Sequence, residues 1–303
     1  DIYIPVKEFN SLRREACDKL AEKIIKSGER EKPSFPQKPV LEETAEKPFI
    51  SAEISTREQL KAVLKTDIKR IYINDSALIK EIKGTEEKEI FYALPSIIRE
   101  ESLAGVLKTI EELENSAVTG FLTRNLTVIK TNKKIICDHT LGVFNSYTAE
   151  RLLYDYDGIT LSTELSVEEL KPLCCKNSEV IVYGRLPLMT TEQCPVGNFV
   201  GGNKGKRFCT LKNKAKGYAL KDRTGLVHPL EPNCEGCFCR ILSGEPLFAP
   251  EALRLKPSSF RLVFTTEDCE ETEKITNYFI EKLKNPERGK IMEIKGKPLK
   301  KVR

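Results

Sequence analysis

The sequence predicts an α/β protein, a compact or incomplete (β/α) TIM-like barrel with a cysteine-rich loop segment and a short N-terminal helical extension. Three observations predict it. Short apolar runs alternate with helix-like segments over residues 48–184, the pattern of a parallel sheet with crossover helices. Seven candidate strands fall within about 135 residues, and no G-x-G-x-x-G stands at a strand-to-helix turn, which favours a barrel over an open dinucleotide-binding sheet. Five of the ten cysteines gather between Tyr183 and Leu247, in a stretch rich in Gly, Pro, Asn and Lys.

The elements follow in order. Leu12, Ala16, Leu20 and Ile24 recur every four residues, so Asn10 to Ser27 reads as an amphipathic helix, the end (1–27) of a preceding domain. Residues 28–47 are charged and carry three prolines, the composition of a linker. The barrel-like domain, 48–184, has strands at Ile50 to Ile54, Arg70 to Ile73, Ile90 to Leu94, Val118 to Leu122, Lys134 to Cys137, Gly158 to Leu161 and Val180 to Tyr183. Helices are expected at Thr56 to Leu64, Glu100 to Glu114, Tyr147 to Asp155 and Val167 to Leu173. A cysteine-rich segment with closing elements (185–285) and a basic tail (286–303) complete the chain.

Composition narrows the function classes. Hydrophobic residues make up 40% and charged residues 31%, no run of about 18 apolar residues occurs, and the start has no signal-peptide pattern, so a globular cytoplasmic protein away from the membrane is expected. Ten cysteines without a secretion signal imply a reducing compartment, where thiols stay available for metal or redox work. The chain opens without an initiator Met, and we read it as part of a longer polypeptide whose N-terminal domains are its partners. Net charge is +5, with Lys204, Lys206, Arg207, Lys212 and Lys214 clustered near the cysteines; such a cluster suits RNA phosphates or a solvated lysine surface.

Cys17, Cys137, Cys174, Cys175 and Cys269 sit in apolar runs where packing explains them. Cys194, Cys209, Cys234, Cys237 and Cys239 have spacings that suit a thiolate-bound metal centre better than a disulfide framework. In a barrel, function sits at the carboxyl ends of the strands, which picks out Asp138, His139 and Glu164 as catalytic candidates, with helix capping the competing role for the two acids.

Asp138-His-Thr-Leu-Gly-Val-Phe-Asn145, Thr160-Leu-Ser-Thr-Glu-Leu165 and Val182-Tyr-Gly-Arg-Leu-Pro-Leu-Met-Thr-Thr-Glu-Gln-Cys194 follow one another along the chain. In kind and order these motifs resemble those of the peptidase U32, or collagenase-like protease, family. Phe9-Asn-Ser-Leu-Arg-Arg-Glu15 and Cys237-Phe-Cys-Arg-Ile-Leu-Ser-Gly-Glu-Pro-Leu247 are similar to stretches of the longer multidomain members, so the chain looks like the C-terminal part of one. The resemblance spans residues 1–25 and 48–280 and is weakest over 60–130. It implies two activities. Members carry a peptidase designation, while relatives hold a four-cysteine [4Fe-4S] cluster and act in oxygen-independent hydroxylation of a tRNA uridine, a 23S rRNA cytidine or a ubiquinone precursor, with prephenate implicated in the RNA reactions.

Carried over by residue, Cys194 stands at the family's second cysteine and Cys209 fits the third; Cys234 and Cys237 are chosen as the remaining ligands, with Cys239 as the alternative. Pro187 occupies the place of the first cysteine, so the usual ligand set does not transfer whole. The expectation is an iron–sulfur protein acting in RNA hydroxylation. The alternatives are a genuine U32 peptidase and a zinc-bound or metal-free structural, RNA-binding half of a larger enzyme. Neither histidine belongs to an H-E-x-x-H helix and no G-x-S-x-G occurs, so a peptidase would have to use Cys137 with His139.

Overall fold

A computed structural model describes residues 5–30, 37–82, 87–126, 130–200, 209, 217–234, 237–285 and 296–299. The chain falls into two units, Asp1–Lys38 and Pro39–Arg303, each considered by itself. In the first, helix α1 (Val6–Ser27) starts four residues before the periodicity suggests, because Pro5 at its cap has φ −59° and needs no N–H partner there. None of its residues is buried; Phe9, Leu12, Leu20 and Ile24 are exposed.

The second unit is built on alternating strands and helices: β1 (Phe49–Ile54), α2 (Arg57–Leu64), β2 (Arg70–Ile73), α3 (Ser76–Glu81), β3 (Glu89–Ala93), α4 (Glu100–Glu114), β4 (Gly120–Thr123), β5 (Lys134–Cys137), α5 (Ser146–Asp155), β6 (Gly158–Thr160), α6 (Val167–Leu170) and β7 (Ser178–Gly184). All seven expected strands form. The second half of the expected linker belongs to this unit: Leu41 packs against the core, and the Lys176 N–H donates to the Glu42 carbonyl at 2.8 Å.

The barrel is closed. An eighth parallel strand, numbered β13 in chain order (Ser259–Val263), lies between β7 and β1, with Phe260 paired to Ile50 and to Val180. The ring is completed where β6 pairs with β7 through Ile159 and Ser178. The sequence reading ended the barrel at residue 184 and left it compact or incomplete; Ser259-Phe-Arg-Leu-Val263 escaped notice because an arginine interrupts its short apolar run. Helix α8 (Cys269–Lys284) follows, its start closed by a capping box between Asp268 and Glu271.

Between β7 and β13 the chain leaves the barrel to make a second, antiparallel sheet. Its strands are β8 (Pro187–Thr191), β9 (Ala219–Lys221), β10 (Val227–Asn233) and β11 (Phe238–Leu242), in the order β8-β11-β10-β9, with a short helix α7 (Pro195–Phe199) after β8. Strand β12 (Leu247–Phe248) then returns antiparallel along β7. Gly184 allows the exit: its φ is +142°, and a Cβ there would stand 2.5 Å from the Val263 carbonyl oxygen.

Strand alternation divides the buried residues into two sets. Ile50, Ala52 and Ile54, Ile71 and Ile73, and Phe260 and Leu262 join the main apolar core with residues of the surrounding helices. The alternate positions point into the barrel. There Tyr72, Phe91, Ala93, Leu122 and Ile136 form an apolar half. Ser51, Glu53, Asp138, Thr160, Glu179, Ser259 and Arg261 are buried and polar, and they fill the other half. No helix among the described residues is long and apolar enough to cross a membrane.

Candidate functional site: a charged barrel mouth and a neighbouring group of thiols

The carboxyl ends of the strands converge on a cleft roofed by the small sheet. Ser55 after β1, Ser96 after β3, Arg124 after β4, His139 after β5, Arg185 after β7 and Thr265 after β13 line one cavity of about 130 Å³ together with Glu231 and Arg240 from the sheet. A larger cavity of about 600 Å³ shares Ser55, Ser96, Arg124, Glu231, Arg240 and Thr265, so the two form one cleft. Arg185 fastens the roof: its Nη1 donates to the Ser243 carbonyl at 2.9 Å, and its Nε to Thr266 Oγ1 at 3.3 Å.

Below the cleft floor lies a continuous charge network. Fully buried Arg261 donates to Asp138 Oδ1 at 2.8 Å, Glu179 Oε2 at 2.6 Å and Thr160 Oγ1 at 2.7 Å, and its guanidinium lies 4.2 Å from the centre of the Tyr72 ring. Arg124 bridges Glu53 and Asp138 Oδ2, the latter at 2.7 Å. Tyr72, Ser51 and Ser259 hydroxyls donate to Glu179. Burial by itself would raise the Asp138 carboxyl, but Arg261, His139 and Arg124 hold it well below the usual carboxylate range. Glu179 is lowered in the same way, burial being outweighed by Arg261 and Arg70 and then by the Ser51 and Ser259 hydroxyls. Both acids are anions in a network where charge meets opposite charge.

Asp138 and His139 are brought together at the rim. Asp138 caps a turn of 3-10 helix at His139–Leu141, its Oδ1 accepting the His139 backbone N–H at 2.8 Å and lying 3.0 Å from the ring Nδ1. The capping role expected for Asp138 is thus observed. Glu164 is set apart: Ser162 Oγ takes its backbone N–H at 3.2 Å, its side chain is exposed, and it does not line the cleft. Cys137 points the other way, into the core between strands and helices. Burial, with Asp138 and Asp155, pushes its thiol up to about 12, which leaves the suggested Cys137–His139 nucleophile pair without a thiolate.

The thiols gather on the small sheet. Cys194 caps α7, its Sγ accepting the Gly197 N–H at 3.3 Å. The Cys194 and Cys209 sulfurs stand 3.7 and 4.0 Å from the point a Cβ on Gly197 would occupy. The Cys234 thiol is raised by burial and then by Cys209, Cys194 and Cys237, which places all four sulfurs in one electrostatic neighbourhood. Cys237 turns with φ +54° to enter β11. Cys239 is fully buried, paired across the sheet with Pro232 and packed with Val196 and Leu230; burial and then Cys194 push its thiol up to about 12, so it stays protonated beside Cys194.

Strand alternation turns Cys239 away from the cleft-lining Arg240. Arg240 and its cross-strand partner Glu231, 2.8 Å apart, line the cleft, whereas Cys239 and Ile241 alternate to the opposite face. No cysteine is among the lining residues. As a donor set, four converging thiols suit iron or zinc. As placed, no three His, Cys, Asp or Glu side chains among the described residues close around a single ion. Lys204, Lys206, Arg207, Lys212 and Lys214, read as an RNA-facing cluster, lie outside the described residues.

Arg261, Glu53, Arg124, Arg185, Glu231 and Arg240 were not singled out from sequence. The signal was there for two of them. In Ile50-Ser-Ala-Glu-Ile54 and Phe260-Arg-Leu262, polar residues alternate with apolar ones inside strands that a parallel barrel buries on both faces.

A family model described as peptidase family U32 matches residues 71–233. Among solved structures, that of the U32 peptidase Mk0906 is similar, with a TM-score of 0.41 and 13% identity over 78% of this chain and all of that one. No curated protein matches the chain.

Proposed function

The chain belongs to peptidase family U32, whose model spans just over half of it, and from that premise we propose an iron–sulfur protein acting in oxygen-independent hydroxylation of RNA. In this reading Cys194, Cys209, Cys234 and Cys237 hold a [4Fe-4S] cluster, and the barrel mouth takes the substrate. The observation that supports it is that four thiols share one electrostatic neighbourhood: the Cys234 thiol is raised by burial and then by Cys209, Cys194 and Cys237. A bound cluster supplies one-electron chemistry and turns that mutual repulsion into ligation. Zinc would need its sulfurs within about 2.3 Å of one point, and no three His, Cys, Asp or Glu side chains among the described residues are so placed.

The chain's own residues then divide the work. Gly197 donates its N–H to the Cys194 sulfur, an interaction that favours thiolate. Cys239 keeps its proton and fills the space behind Cys194. The basic residues from Lys204 to Lys214 are proposed to meet the RNA backbone, which would make binding salt-dependent. The peptidase designation finds less support in these side chains. Cys137 is a buried thiol held protonated, and it packs into the core away from the mouth.

The deciding experiment measures iron, sulfide and zinc in anaerobically purified protein and in Cys194→Ala and Cys237→Ala. About four irons with matching sulfide, lost in both variants, is the expected result. Zinc alone, or no metal, would favour the second reading, a structural or RNA-docking half of a larger enzyme. One observation already leans toward that reading: Pro187 replaces the family's first cysteine and opens the exposed strand β8.

A further inference from the structure

We propose that His139 is the proton-transfer group of the barrel mouth, presenting an unprotonated Nε2 to the cleft, and that Asp138 and Arg261 are positioning residues that fix its tautomer. The inference deepens the reading of the mouth as the substrate cleft and does not depend on the thiols.

Geometry supports each part. The ring Nδ1 lies 3.0 Å from Asp138 Oδ1, a carboxylate oxygen that can only accept, so the neutral imidazole carries its hydrogen on Nδ1. Asp138 cannot turn away. Its Oδ1 also takes the His139 backbone N–H and the Arg261 guanidinium, both at 2.8 Å, and its Oδ2 takes Arg124 Nε at 2.7 Å. Arg261 is itself fixed on its other side by Glu179 and Thr160. That leaves Nε2 without a protein partner among the described residues, on a ring that is 22% exposed and lines the smaller cavity. The charged groups around that cavity are Glu53, Arg124, Arg185, Glu231 and Arg240.

The arrangement is that of the histidine and aspartate of a hydrolytic triad without a nucleophile beside them. A substrate X–H in the cleft gives its proton to Nε2: the N–H bond forms, the X–H bond breaks, and the electron pair stays on X. The imidazolium is stabilised by Asp138 through Nδ1–H, and the proton returns from Nε2 later in the cycle. The substrates this suits have a weakly acidic O–H, N–H or C–H that must be activated within reach of a rigid base.

Long-range 15N–1H correlation of the full chain, labelled with 15N-histidine, tests this directly, because His139 and His228 are its only histidines. In its neutral form His139 should show protonated Nδ1 and bare Nε2. Asp138→Asn, whose amide can donate to Nδ1, should switch it to the Nε2–H form. Arg261→Met should mix the two forms, and Arg261→Lys should restore the first. Diethyl pyrocarbonate, which acylates a bare imidazole nitrogen, should react with His139 faster than with His228, whose Nδ1 lies 3.2 Å from the Leu242 carbonyl and whose Nε2 lies 3.5 Å from Asp222. An Nε2–H tautomer in the unsubstituted protein, or a His139 slower to react than His228, would overturn the proposal. Should Arg261→Met fail to fold, the near-isosteric Asp138→Asn still decides it. Absence of iron would remove the cluster reading and leave these outcomes untouched, so the two fail separately.

Discussion

The barrel interior and the small sheet both gather groups that are costly to bury, and they satisfy them in opposite ways. Inside the barrel every described carboxylate has a guanidinium against it. Asp138, Glu179 and Glu53 face Arg261, Arg124 and Arg70, supplied from six different strands or strand ends. On the sheet, the Cys234 thiol is raised by burial and then by Cys209, Cys194 and Cys237. A region that is electrostatically closed needs nothing from outside to fold. One that gathers thiols presents a donor set of the kind that iron or zinc would suit.

The sharpest way to break the comparison is to open the closed region. Arg261→Met should cost about 3–5 kcal/mol in urea unfolding, because Asp138 and Glu179 stay buried and lose their central partner. A loss below about 1 kcal/mol would mean the network is slack, contrary to the burial of all three groups.

Acid probes the same network. Asp138 and Glu179 have folded pKa values below their ordinary ones, so their contribution is fully present above about pH 4 and disappears as pH falls through the depressed values. Stability followed by circular dichroism should therefore drop steeply below about pH 4, and the drop should flatten in Asp138→Asn.

The open region responds to ligand instead. If the thiols bind metal, loading at a hundred times the dissociation constant should add about 2.7 kcal/mol of protection to amide exchange in Ala219–Lys221 and Val227–Asn233, leaving the barrel strands unchanged. Cys234→Ala should abolish that gain.

Smaller effects sharpen the boundary. Tyr72→Phe removes one donor to Glu179, which keeps Ser51, Ser259 and Arg261, so about 1 kcal/mol is expected. Arg254→Ala, in a pair with Glu168 that is mostly exposed on both sides, should change unfolding by no more than about 0.5 kcal/mol.

Much of the fold was legible. The seven strands and the main crossover helices were readable because short apolar runs, helix periodicity and caps such as Thr56 with Gln59 are local signals. Asp138 and His139 were readable as a pair because they follow a strand directly, where barrel function resides. Arg261 was not, since its partner Asp138 lies 123 residues away and an arginine inside a short strand hides the strand itself. The cleft was equally invisible. It exists because the sheet of β8, β9, β10 and β11 lies over the mouth, and nothing in the sequence of those strands says which face looks inward.

By itself the sequence determined the α/β rhythm, the positions of seven strands and the grouping of five cysteines in one segment, because each is written in neighbouring residues. Only the tertiary structure decided that the barrel closes through β13, that its polar inward positions join into one charge network, and that Cys239 alternates with the cleft-lining Arg240. The physical reason is range. Hydrophobic periodicity acts over a few residues, whereas pairing buried charges and choosing which side of a strand meets the mouth depend on partners brought together only when the ring of strands closes.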